Sequence, residues 1–165
     1  ENNCEYKLVV EVLVLFDQWR QVFTSPEKFC SGIAVKTFEE SYQKSELFFS
    51  PVTEVSIVLC EDKFIQNLNL KYRDLNKPTN VLSFSNFSGS KTEVERVGKL
   101  SLLGDIVVSY ETVRKESKVL EKRLESYTAH MIVHGMLHLM GFVHDNIPEA
   151  MIMERLEKKI LNKLF

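Results

Sequence analysis

A chain of 165 residues, 44% of them apolar, is long enough to bury one substantial core and is expected to form a single domain over residues 1–165. Its 21 basic and 23 acidic residues leave a formal net charge of −2. That excludes a protein basic all over, so any nucleic-acid contact has to come from a local patch. The apolar runs at 8–16 and 131–143 are too short or too punctuated to span a bilayer, and no basic segment precedes the first. A soluble, cytoplasmic protein without a membrane partner is expected. Cys4, Cys30 and Cys60 are odd in number and lack CxxC spacing, which fits reduced thiols that carry no chemistry.

In chain order, residues 6–16 (YKLVVEVLVLF) read as a first strand, rich in Val and Leu and expected to be buried. Ser25, Pro26 and Glu27 mark a helix start: a capping hydroxyl, a pre-set φ, then a carboxylate at the positive end of the dipole. Phe29, Ile33 and Phe38 carry that helix to about residue 44. Residues 52–60 (VTEVSIVLC) form a second strand. From Asp62, the face made by Phe64, Leu68 and Tyr72 with Ile65 predicts a short helix, which ends in the loop DLNKPTN.

Residues 81–84 (VLSF) read as a third strand. The glycine-punctuated polar stretch 85–98 is expected to be the mobile segment, and 102–110 (LLGDIVVSY) is a fourth strand interrupted by Gly104 and Asp105. Two helical stretches close the chain. Residues 111–139 divide into two helices, and in 148–164 Ile152, Leu156, Ile160 and Leu164 recur at i,i+4, with Lys158, Lys159 and Lys163 near the end that the dipole favours. The expected architecture is α+β: one mixed sheet of about four strands, covered by about five helices.

Three of the four histidines fall within IVHGMLHLMGFVHD, residues 132–145, at His134, His138 and His144. Helical residues four apart differ by about 40° around the axis and about 6 Å along it, so His134 and His138 can aim at one point. Gly141 stands where a left-handed residue would end the helix and fold His144 back as a third ligand. A lone histidine would be read as packed or surface-exposed. These three sit among Met131, Ile132, Val133, Met136, Leu137, Leu139, Met140 and Phe142, where an imidazole loses hydration and one shared cation would satisfy all three. Three neutral imidazoles suit one Zn²⁺ with an open fourth position, as in catalytic rather than structural sites, although other divalent transition metals would also bind. The metzincin proteases share this spacing but place a glutamate base directly after the first histidine. Here that position is Gly135, which argues against peptidase chemistry.

The run HGMLHLMGFVH resembles the signature of the YbeY family of bacterial endoribonucleases. LNLKYRDLNKPTNVLSF (68–84) and LGDIVVS (103–109) resemble the family's two other blocks, in order. The resemblance implies a single-strand-specific, metal-dependent endoribonuclease that acts in ribosomal RNA maturation, including processing of the 16S rRNA 3′ end, and in ribosome quality control. Ribosomal RNA and ribosomal particles or proteins would then be its partners. It also implies that His134, His138 and His144 are the metal ligands, and that Arg73 and His134 are the catalytic residues. A planar guanidinium independently suits the charge that builds on a phosphodiester undergoing cleavage.

The chain departs from the family pattern at Val143, where an acidic residue usually precedes the third histidine; Asp145 follows that histidine instead. His130 is expected either to support a ligand or simply to pack, without being a ligand itself, and Asp105 either braces a ligand or loop or caps a turn. Lys71 is the other basic residue expected to touch phosphate, and Ser83 is expected to line the cleft. Two other readings compete. One is a zinc hydrolase of another substrate, for which Gly135→Glu is the probe; the other is a ribosome-assembly factor with a structural metal.

Overall fold

The computed structural model describes residues 5–86 and 100–165. Strand β1 (Lys7–Val14) is followed by two helices, α1 (Gln18–Val22) and α2 (Pro26–Ser41), then by β2 (Phe49–Cys60) and α3 (Asp62–Arg73). Strands β3 (Val81–Ser85) and β4 (Leu100–Ser109) precede three helices: α4 (Tyr110–Val119), α5 (Leu124–Leu139) and α6 (Ile147–Leu164). The four strands form one mixed sheet in the order β1-β2-β4-β3. β1 and β4 run parallel to β2, and β3 runs antiparallel to β4. The expected α+β architecture is therefore observed, with six helices among the described residues where about five were expected.

The additional helix is α1. It offers no periodicity to read because it is one turn long, but its Trp19 is fully buried and its indole donates to the Cys60 carbonyl at 3.1 Å. Two other expectations about faces are corrected. β1 is an edge strand on which only Leu8 is buried, because no described strand lies beyond it. In α3 the buried residues are Ile65 and Asn69, while Phe64 and Tyr72 point to solvent. A helix that covers only one corner of the sheet buries a narrower stripe than its apolar content suggests.

The main core lies on one face of the sheet, where α2 packs against β1 and α5 against β3 and β4. α3 closes part of the other face over a small cluster of Cys60, Ile65 and Val107. Burial pushes the Cys30 and Cys60 thiols up to about 12, which makes them inert packing groups. Cys4 lies outside the described residues, as does most of the expected mobile stretch, from residue 87 onward.

Two glycines allow close approach. Gly104 adopts φ +139°, and a side chain there would run into the Phe84 carbonyl; β4 therefore continues through Gly104 without the expected interruption. Gly135 lets α5 lie against β4, since a Cβ there would come within 2.9 Å of Ile106 Cγ2 and 3.1 Å of Ser83 Oγ. The Gly135→Glu probe would thus push α5 off the sheet, which rules it out as a clean test of peptidase chemistry.

Candidate metal centre

α5 carries His134 and His138 one turn apart and ends in a motif that accounts for the third histidine. The Phe142 amide donates to the Leu137 carbonyl at 3.0 Å and the Gly141 amide to the His138 carbonyl at 3.1 Å, with Gly141 at φ +91°. This is the Schellman pattern of paired hydrogen bonds, which reverses the chain after the helix. Ser45 Oγ donates to the Met140 carbonyl at 2.6 Å and anchors the turn from outside. The reversal returns His144 to the first two: one ring nitrogen from each of the three residues lies within 4.8 Å of the others.

The hydrogen bonds assign the tautomers. His138 Nδ1 faces the Phe142 carbonyl at 3.1 Å, and because a carbonyl can only accept, that nitrogen carries the proton. His134 Nδ1 donates to Glu157 Oε1 at 2.6 Å, and His130 Nε2 donates to Glu157 Oε2 at 2.9 Å. Burial would raise the Glu157 carboxyl, but the hydrogen bonds from His130 and His134 outweigh it and hold the group down to about 2, so it is ionised. Burial, with the neighbouring His134 and His144 rings, pushes His138 down to about 4 and keeps it neutral.

With Nδ1 of each ring committed to an acceptor, Nε2 of His134 and Nε2 of His138 are the nitrogens turned toward the cluster, and they face each other at 3.0 Å. Two ring nitrogens at that distance are held together by a proton or a cation between them. With His144 alongside, a divalent cation fits this donor set, and Glu157 completes the arrangement in which a carboxylate orients a metal-binding histidine.

The three histidines line a cleft of about 660 Å³ whose walls come from β3, the end of α3, and α5 and α6. Arg73, the last residue of α3, lines the same cleft. Its Nη2 donates to the Ser83 carbonyl at 3.1 Å, and its guanidinium lies 5.7 Å from the centre of the Phe84 ring. Asp74 at φ +56° ends α3 directly behind it. Arg73 is thus fixed on one side and open to the cleft on the other.

Among the sequence-derived candidates, His134, His138, His144, Arg73, Ser83 and His130 all line this cleft. Ser83 Oγ lies 3.5 Å from the Gly135 carbonyl, and His130 supports Glu157. Asp105 does not take part. It is exposed on the other face of the sheet, in a row with Ser56 and Glu11, so it is not the costly buried carboxylate that its place in an apolar strand suggested. Val143 is 42% exposed and Asp145 is also exposed, neither within the histidine cluster.

Glu157 was missed. The i,i+4 reading of α6 chose Ile152, which is 56% exposed, whereas the buried stripe is Met153, Leu156, Glu157 and Ile160. An acid in phase with Met153 and Ile160 was the available signal.

One mixed sheet, with two histidines on α5, a third just beyond its end converging on them, and an arginine lining the same cleft, defines a class of α+β proteins with a histidine-lined cleft. Residues 19–165 match the family model described as Endoribonuclease YbeY, and the chain belongs to the YbeY family. It is 39% identical over 158 residues to the Endoribonuclease YbeY of Methylocella silvestris, covering 96% of this chain and 83% of that protein. The Endoribonuclease YbeY of Ehrlichia chaffeensis is 33% identical over 156 residues, covering 94% and 93% of the two chains. The solution structure of TM1509 from Thermotoga maritima shares the fold with a TM-score of 0.58 at 20% identity, over 93% of this chain and 87% of that one.

Proposed function

We propose that this chain is a metal-dependent endoribonuclease that processes ribosomal RNA, with His134, His138 and His144 holding one Zn²⁺ and Arg73 contacting the scissile phosphate. The observation that carries the reading is the convergence of one nitrogen from each of three histidines within 4.8 Å, with the Nδ1 positions of His134 and His138 already committed to other partners. A divalent ion held there would supply a Lewis acid beside the substrate phosphate. The protein residues supply the rest. Arg73 presents a planar fork of donors to the nonbridging oxygens, and its bond to Ser83 fixes that fork before substrate arrives. Glu157 keeps the His134 proton on Nδ1 and so keeps Nε2 free to bind metal. Gly135 offers no proton acceptor where a metzincin would carry its base.

Names of relatives support RNA as substrate. Ribosomal particles and a cytoplasmic site of action belong to the same proposal, and no helix among the described residues is long and apolar enough to cross a membrane. The test pairs elemental analysis of the purified protein with cleavage of single-stranded ribosomal RNA. Arg73→Ala should lower cleavage by roughly 100- to 1,000-fold, as removal of one donor to a developing anion does. Chelation should abolish cleavage. A cleavage rate indifferent to both changes would overturn the proposal.

A further inference from the structure

One feature of the α3 terminus is unused by the metal centre. Residues 71–77 read KYRDLNK, with three basic residues against the single acid Asp74, in a chain whose net charge is −2. Tyr72 lies in the middle and is 57% exposed. Its ring meets Phe84 edge-on at 5.2 Å, and the same Phe84 ring carries the Arg73 guanidinium at 5.7 Å. Lys71 Nζ stands 5.2 Å from the centre of the Tyr72 ring. The loop beyond is held as well: buried Asn69 donates from Nδ2 to the Lys77 carbonyl at 2.9 Å, and Gln66 Nε2 donates to Asn76 Oδ1 at 3.0 Å.

The result is a ladder of cation, aromatic ring, aromatic ring and cation, in which half-buried Phe84 backs the exposed Tyr72 ring and the Arg73 end opens into the histidine cleft. A large aromatic ring exposed on a helix adds nothing to the core. Lys71, Tyr72 and Arg73 set a cation, an exposed ring and a cation side by side, which matches what a single strand of nucleic acid presents, a phosphate and a base in turn. A duplex hides its base faces and could use only the cations.

We propose that Tyr72, flanked by Lys71, is a base-stacking subsite that leads a single-stranded RNA into the cleft, with Arg73 taking the phosphate nearest the metal. This rests on the endoribonuclease reading of the cleft and goes beyond it by placing a neighbouring nucleotide on a particular ring.

The test uses metal-loaded protein and a fluorescently labelled single-stranded 2′-O-methyl oligonucleotide, which resists cleavage, with binding read by anisotropy. Tyr72→Ala should weaken binding roughly 5- to 100-fold, the usual range for loss of one base–aromatic stack. Tyr72→Phe and Tyr72→Trp should stay within about twofold of the native protein, because stacking needs the ring and not the hydroxyl. On a cleavable RNA, Tyr72→Ala should raise KM with kcat and metal content unchanged, and Lys71→Ala should flatten the salt dependence by about one phosphate contact. If Tyr72→Ala binds and cleaves as the native protein does, the subsite is refuted while the nuclease reading stands. If Tyr72→Phe is as weak as Tyr72→Ala, stacking is refuted. If the native protein neither binds nor cleaves RNA, the function fails and the subsite with it.

Discussion

Replacing Glu157 by Leu removes the hydrogen bond that joins α6 to the proposed ligand His134. Glu157 is 7% exposed, and its two oxygens serve two different histidines, at 2.6 and 2.9 Å. Leu preserves bulk but leaves two imidazole N–H groups without an acceptor, each a loss of about 1–3 kcal/mol where water does not replace it. Relief of the carboxylate's own desolvation offsets part of this. The effect on metal binding is more specific. Without an acceptor at Nδ1, the His134 proton can occupy either nitrogen and the ring can turn. Loss of such an outer partner lowers metal affinity about 10- to 100-fold, or roughly 1.4–2.7 kcal/mol. Zinc affinity is measured by competition with a chromophoric chelator, and circular dichroism of the metal-free protein reports whether the fold survives. Glu157→Gln keeps one acceptor oxygen and should fall between Leu and native. A folded Glu157→Leu protein that binds zinc within twofold of native would refute this account of Glu157.

Two further predictions separate stability from metal binding. His144 is exposed, so His144→Ala should leave the metal-free protein's stability within about 0.5 kcal/mol of native, yet weaken zinc binding by more than the roughly 100-fold that outer partners can cost; the same chelator competition, paired with a metal-free melt, checks both. Gly135→Ala puts a methyl 2.9 Å from Ile106 Cγ2, and should lower stability by about 1–3 kcal/mol in urea unfolding. An unchanged midpoint would show that α5 and β4 are not closely packed at this glycine.

The strands, the two long helices α2 and α6 and the histidine cluster were legible because each writes a local pattern. β-branched runs, a Ser-Pro-Glu helix start and a 0, +4, +10 histidine spacing need no partner to be recognised. The stop of α5 followed in the same way, from Gly141, whereas its start was expected only somewhere within 111–139; the structure puts the break near Glu121, which takes φ +54°. What escaped depends on long-range packing. The burial of Trp19 rests on an acceptor 41 residues away at Cys60, and the role of Glu157 on histidines 23 and 27 residues earlier. Asp105 was misjudged because apolar content alone does not tell which face of a sheet is covered, and α3 covers only one corner of that face. Tyr72 was misplaced on a buried stripe for the same reason.

The bridge from Glu157 to His134 and His130 also makes the cluster depend unequally on the last helix. His138 finds its acceptor at Phe142, within the turn that follows its own helix, whereas His134 finds its acceptor on α6. Truncation before residue 157 would leave the first ring held and release the second. The final helix thus acts as a clamp on one ring of the three, and its docking decides whether that ring is pre-set.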